Sequence, residues 1–183
     1  MKEKKFIMKA KKDAKAFDYL YEKYFQQIYN YVKMRVNNKD IAEDIVSTVF
    51  YKGLKKLHQF RWKKIPLSSW LYRIAISEIS NYFRARKRER KIGRKLRVEK
   101  QVRKNQEEVV YKYDFIYQYL RQLPLKDQEI ITLRFFDNKS YTEIAEILKT
   151  KENTLRVKLH RALKKLEKLI PEEVLEDVYR KVS

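Results

Sequence analysis

With 183 residues, 45 Lys plus Arg against 24 Asp plus Glu and a formal charge of +21, the chain has room for one ordinary domain or two small ones, and it repels itself unless a polyanion neutralises it. That polyanion is nucleic acid, an anionic membrane or an acidic protein. The absence of Cys and the presence of only His58 and His160 exclude disulfides and a Cys/His zinc site; two Gly exclude a glycine-rich phosphate loop, and no apolar run is long enough for a bilayer span or a signal-peptide core.

Only three Pro interrupt the chain and apolar residues recur at helical rather than alternating spacing, so an all-α protein is expected, soluble, cytosolic and without a cofactor or metal. A first module opens near Lys12. Phe17, Leu20, Tyr21, Tyr24, Phe25, Ile28, Tyr31 and Val32 mark the buried face of a long helix that closes at the Asn37-Asn38 turn signal. Asp40 with Glu43 is the expected cap of a second helix, whose face is Ile41, Ile45, Val49 and Phe50. A basic, aromatic loop follows from Gln59 to Pro66. A third helix starts near Ser68 or Ser69 and carries Trp70, Leu71, Ile74, Ala75, Ile79, Tyr82 and Phe83.

Between Arg84 and Lys104 there are twelve basic residues against two acidic ones and few large apolar groups, which marks a boundary between modules. The start of this run can continue the third helix until Gly93 weakens it. A coil of that length averages about 25 Å end to end and stretches beyond about 60 Å. It can therefore hold two modules more than one duplex turn, about 34 Å, apart. A one-signed cluster of this size favours tracking of phosphates over a merely solvated role.

The second module opens near Tyr111. Phe115, Tyr119 and Leu120 lie on its first helix, Leu123-Pro124 breaks that helix, and Ile130, Ile131, Leu133 and Phe135 lie on the next before Asp137-Asn138 turns the chain. Ser140 followed by Glu143 is a capping box, so a helix begins there, with Ile144, Ala145 and Leu148 facing inward. Thr150 is the expected cap of the last helix, in which Leu155, Leu159, Ala162, Leu163 and Leu166 face a core while Arg156, Lys158, His160, Arg161 and Lys164 cover the other side. Pro171 stops it. Two helices with a tight turn, the second thick with cations, form the pattern of a helix-turn-helix whose outer face enters a major groove. Taken alone, the same helix is equally a solvated basic face.

In this order, Asp40-Ile-Ala-Glu-Asp-Ile-Val46, Trp70-Leu-Tyr-Arg-Ile-Ala75 running on to Asn81-Tyr-Phe-Arg84, and Leu123-Pro124 leading through Leu133-Arg134 to Ser140-Tyr-Thr-Glu-Ile-Ala145 resemble the sigma-70 family, specifically its compact extracytoplasmic-function (ECF) type. The resemblance implies two small helical domains. These are a region 2 bundle over 12–86 and a region 4 helix-turn-helix over 111–170, joined by a basic linker over 87–110 and followed by a tail over 171–183 that is a candidate short helix. It also implies a non-enzymatic subunit that directs bacterial RNA polymerase core enzyme to promoter DNA, region 2 opening and reading the −10 element and region 4 reading the −35 element. An anti-sigma factor is a further partner the family admits; membrane insertion is not implied.

Carried over residue by residue, the resemblance gives Asp44, Ser47, Phe50 and Tyr51 as polymerase contacts, with Ser47-Thr48 departing from a usual Gln-Glu pair. It gives Ser77 and Asn81 as −10 readers, Ser77 standing where Asn is frequent. Arg61, Trp62, Lys63, Lys64 and Arg84 join them as the cations and ring that a melted strand needs. In the last helix Arg156, Val157, Lys158, His160 and Arg161 align with −35 contacts, and Val157 replaces a usual Ser. Arg156 and Arg161 can each bond a guanine in bidentate fashion, about 1–3 kcal/mol of discrimination. Lys149 replaces a common turn glycine, so strain is expected there. By ordinary packing statistics Trp70, Tyr82 and Phe83 belong to the core, Trp62 divides between DNA and packing, and His160 is a surface polar contact. The competing class is a two-domain DNA-binding regulator, which leaves the Trp70–Arg84 helix and its basic loop unexplained. A nuclease lacks a visible metal cluster, and a membrane-surface protein lacks an apolar face beside the cations.

Overall fold

The computed structural model describes residues 2–62, 66–93 and 114–172. The chain divides into two compact units, Met1–Glu108 and Val109–Ser183. The described residues are helices and turns, without a strand.

In the first unit, α1 (Lys2–Ala10) leads through a 3₁₀ turn (Ala14–Phe17) into α2 (Asp18–Val36), then α3 (Lys39–Lys56), a 3₁₀ turn (Leu57–Gln59) and α4 (Leu67–Gly93). Leu20, Tyr24, Ile28, Tyr31 and Val32 recur every three or four residues and are buried, so α2 presents one stripe to α3 and α4. Asn37 ends α2 in the left-handed region at φ 50°. The cap of α3 is Asn38, whose side-chain oxygen accepts from the Ile41 N–H at 3.0 Å, and not Asp40 as the capping-box pattern predicts. The cap falls two residues earlier than the pattern assumes, and Asp40 lies inside the first turn. Ala42, Ile45, Val46 and Val49 complete the interior with Leu67, Leu71, Tyr72, Ala75 and Ile79 of α4. Gly53 lets α3 and α4 approach closely, since a Cβ there would sit 3.0 Å from Leu71 Cδ2. The Tyr31 and Tyr72 rings meet edge-on at 5.1 Å inside this core.

Two further expectations are corrected here. The first module, expected to open near Lys12, begins earlier, with α1 packed on this unit and Ile7 and Ala10 buried. Tyr21, expected inward, is exposed on the rim of α2. Beyond Arg84, α4 continues as helix to Gly93, the point at which the sequence weakens it.

The second unit runs α5 (Asp114–Leu120), α6 (Leu125–Ile131), a π-helical turn (Thr132–Phe136), α7 (Tyr141–Ile147) and α8 (Glu152–Glu167). Gln128 Nε2 satisfies the Arg121 and Leu123 carbonyls at the Leu123-Pro124 break, at 3.2 and 2.7 Å. Ile130, Ile131, Leu133, Ile144, Ala145, Ile147, Leu155, Leu159, Ala162 and Leu166 form the core. Phe135 is not part of it: it stands 53% exposed while Phe136 packs 4.9 Å from Tyr117. The π turn supplies the reason, because its extra residue per turn shifts the inward register that a 3.6 period predicts. The Ser140–Glu143 capping box forms in both directions. Thr150 does not cap α8; its N–H bonds the Ala145 carbonyl at 2.9 Å, and the cap position falls to Lys151 without a side-chain bond. Lys149 sits at φ 50°, the left-handed conformation that costs a non-glycine residue about 1–2 kcal/mol. The C-terminal turn of α8 closes before Pro171 rather than at it. The expected linker beyond Gly93 and the tail beyond Glu172 lie outside the described residues.

Candidate nucleic-acid and polymerase interfaces

On α4, Trp70, Ser77 and Arg84 are seven residues apart, and Asn81 and Arg88 fall four and eleven beyond Ser77. Seven residues nearly close two helical turns, so these side chains share one stripe. Ser77, Asn81, Arg84 and Arg88 are exposed along it, and Trp70 at its foot is half-buried, 5.4 Å from Phe60. An Arg84 guanidinium nitrogen donates to Asn81 Oδ1 at 2.6 Å. That bond uses one of the two lone pairs of the amide oxygen. Asn81, Arg84, Lys87 and Arg88 surround a shallow hollow of about 600 Å³, lined by cations and one amide. Tyr82 and Phe83, expected in the core, are half-exposed beside it with ring centroids 5.1 Å apart, and the Tyr82 hydroxyl accepts from Arg86 at 3.1 Å. Arg61 is exposed and Trp62 half-buried. Lys63 and Lys64 lie outside the described residues.

Of the four expected polymerase contacts, Asp44, Ser47 and Tyr51 share one exposed face of α3 at i, i+3 and i+7 spacing, and Phe50 is buried beside them. Ser47, Phe50 and Tyr51 line a groove of about 450 Å³ between α2 and α3, closed by Phe17, Tyr21, Phe25 and Leu54. Phe50 is 4% exposed and is the hub of that cluster, 4.7 Å from Tyr21 and 6.3 Å from both Phe17 and Phe25. It forms the groove floor, while Tyr51, 63% exposed, is the projecting ring. Asp44 also borders a second hollow between α3 and α4, with Thr48, Glu78, Asn81, Tyr82 and Arg88.

On α8, Arg156, Val157, Lys158, His160 and Arg161 are all exposed, as an outward face requires. The Arg156 guanidinium lies 4.1 Å from the centroid of the Tyr141 ring, and Arg134 lies 4.9 Å from the same ring while donating to the Lys139 carbonyl at 3.1 Å. Tyr141 therefore organises two cations. Sequence reasoning missed this, because Tyr141 and Arg156 sit on different helices and no periodicity connects them. Thr142 Oγ1 donates to Glu152 at 2.7 Å and ties the start of α7 to the start of α8. His160 has no companion ligands: among the described residues no group of three His, Cys, Asp or Glu is placed to hold a metal.

A helical stripe ending in cations and a helix-turn-helix with an outward basic face are surfaces of the kind a helical DNA-binding protein presents. Residues 20–89 match the model of sigma-70 region 2, and residues 116–166 that of sigma-70 region 4. The chain is 32% identical over 163 residues to RNA polymerase sigma factor YlaC of Bacillus subtilis, covering 81% of this chain and 88% of that one. It is 27% identical over 165 residues to the ECF RNA polymerase sigma factor BldN of Streptomyces coelicolor, covering 88% of this chain but only 62% of that longer protein. Its fold matches that of the sigma factor RpoE of Bartonella quintana, solved with the anti-sigma factor NepR, at a TM-score of 0.67 and 22% identity, over 85% of this chain and 96% of that one. The chain belongs to the sigma-70 family, in its ECF group. It is a promoter-specificity subunit of RNA polymerase and not itself an enzyme.

Proposed function

We propose that the two units divide promoter recognition between them. The first, with region 2 over 12–86, docks on the polymerase through the α2/α3 groove and Tyr51, and reads a melted −10 strand along the Ser77, Asn81 and Arg84 stripe. Arg61, Trp62, Lys63 and Lys64 serve the same strand. The second, with region 4 over 111–170, lays α8 into the major groove at the −35 element, where Arg156 and Arg161 read guanine and Lys158, His160 and Val157 shape the rest of the preference. The basic residues over 87–110 neutralise phosphates between them.

The observation that carries this reading is the stripe on α4. A single strand needs donors for base edges, an aromatic surface and cations for the backbone, and Trp70, Asn81, Arg84, Lys87 and Arg88 supply all three on one helix. A free-standing regulator has no use for it. On this reading the protein works in the cytoplasm, where the polymerase is, and no described helix is long and apolar enough to cross a membrane. An anti-sigma factor is a fitting further partner.

The test is transcription in vitro with purified core polymerase over a genomic library. Starts at defined promoters that depend on this chain are expected. A library with no such start sinks the reading.

A further inference from the structure

The match to region 2 begins at residue 20, so α1 stands ahead of it and nothing above gives α1 a task. Glu3 in α1 and Lys11 just after it both reach far along the chain. Glu3 Oε1 accepts the Leu67 N–H at 2.9 Å, which supplies a cap to the first turn of α4 from 64 residues away. Its other oxygen accepts from Lys23 Nζ at 2.9 Å, so the cap is anchored on α2. Lys11, just past the end of α1, donates its ammonium to the Phe60 carbonyl at 2.6 Å. Ile7 and Ala10 are buried, and Phe6 stacks on Tyr19 at 3.9 Å, so α1 itself is held fast. Phe60 and Leu67 are the two ends of the stretch that carries Arg61 and Trp62. Phe60 also meets Trp70, at the foot of the α4 stripe.

We propose that α1 is a brace for −10 recognition, in which Glu3 and Lys11 act as positioning residues that pin Leu67 and Phe60 and so aim Arg61, Trp62 and the start of α4 at the melted strand. The inference rests on the −10 reading given above. Neither residue touches DNA. A helix cap made by a distant side chain is a stronger orienting device than a local one, because it fixes α4 to the body of the unit as well as satisfying its first turn. The carboxylate is well suited to the task. Burial opposes its charge, yet Tyr24, the Leu67 N–H and Lys23 together outweigh burial and hold its pKa below the ordinary glutamate value.

The test uses the full chain with core polymerase and measures two ratios for wild type, Glu3→Ala, Lys11→Met and the double variant, at a temperature where each is folded by tryptophan fluorescence. One ratio compares initiation from a matched promoter with a −10-substituted one, the other with a −35-substituted one. The double variant should lose about fivefold or more of the −10 ratio, the size expected from removing a cap, and keep the −35 ratio. Lys11→Arg should restore the contribution of Lys11. Two ratios that both stay at wild-type values, or that fall together, overturn the brace. A wild-type chain that initiates at promoters but ignores −10 substitutions overturns the underlying −10 reading instead.

Discussion

Replacing Tyr141 by Leu keeps an apolar, half-buried side chain at the start of α7 but removes the ring against which Arg156 lies at 4.1 Å. At an exposed site such a cation–ring contact is worth about 0.5–1 kcal/mol. Its loss frees the guanidinium to sample orientations that do not bond guanine. Discrimination at the base Arg156 reads should therefore fall about two- to fivefold. Removing Arg156 itself should cost about 1–3 kcal/mol, or roughly five- to 150-fold. The assay is a double-mutant cycle on reconstituted polymerase: wild type, Tyr141→Leu, Arg156→Ala and the pair, each competing two promoters that differ at one −35 position. In the Arg156→Ala background the Tyr141 change should have no further effect, giving a coupling of about 0.5–1 kcal/mol. Tyr141→Phe keeps the ring and should behave as wild type. Additive losses, or a Tyr141→Phe variant as impaired as Tyr141→Leu, would refute the idea that the ring orients the arginine.

Gly53→Val drives two methyls toward Leu71 and should destabilise the first unit by about 1–3 kcal/mol, seen as an earlier unfolding transition in tryptophan fluorescence, since Trp62 and Trp70 both lie there. Ser140→Ala breaks the capping box and should cost the second unit about 1 kcal/mol, roughly a 4–8 °C drop in its Tm by circular dichroism, with Ser140→Asp recovering most of it. Because the folded-state pKa of Glu3 is depressed, its contribution is fully present above the ordinary value of 4.5 and is lost as pH falls through the lower folded value. Urea titrations across that range should show an acid limb in the first unit that Glu3→Gln flattens.

The helices and most of the interior were legible because their apolar residues repeat at helical spacing over long stretches, as in α2 and α8. The exposed stations of Asn81, Arg84, Arg156 and Arg161 follow from the same periodicity, which turns the charged residues outward wherever it turns Leu and Ile inward. Failures came where a local competitor altered the register. The π turn moved Phe135 out and Phe136 in, and the left-handed residue at Lys149 moved the cap from Thr150 to Lys151. Phe50, read both as part of the buried face of its helix and as a polymerase contact, lies buried, since the neighbouring aromatic residues of α2 enclose it. The contacts of α1 and the Tyr141 ring were illegible for a simpler reason: they join residues remote in sequence through single side chains, and no local pattern records them.

The length of α4 has a mechanical consequence. Its 27 residues make a rod of about 40 Å, whose first half is gripped by α2 and α3 and whose last turns are mostly charged. Such a rod is a lever arm. A tilt of about 5° at its gripped end carries Gly93 through about 3 Å, a distance that a pair of spectroscopic labels can resolve. A shift at the buried end of α4 is thus amplified where its cations lie, and a reporter at that tip would register it.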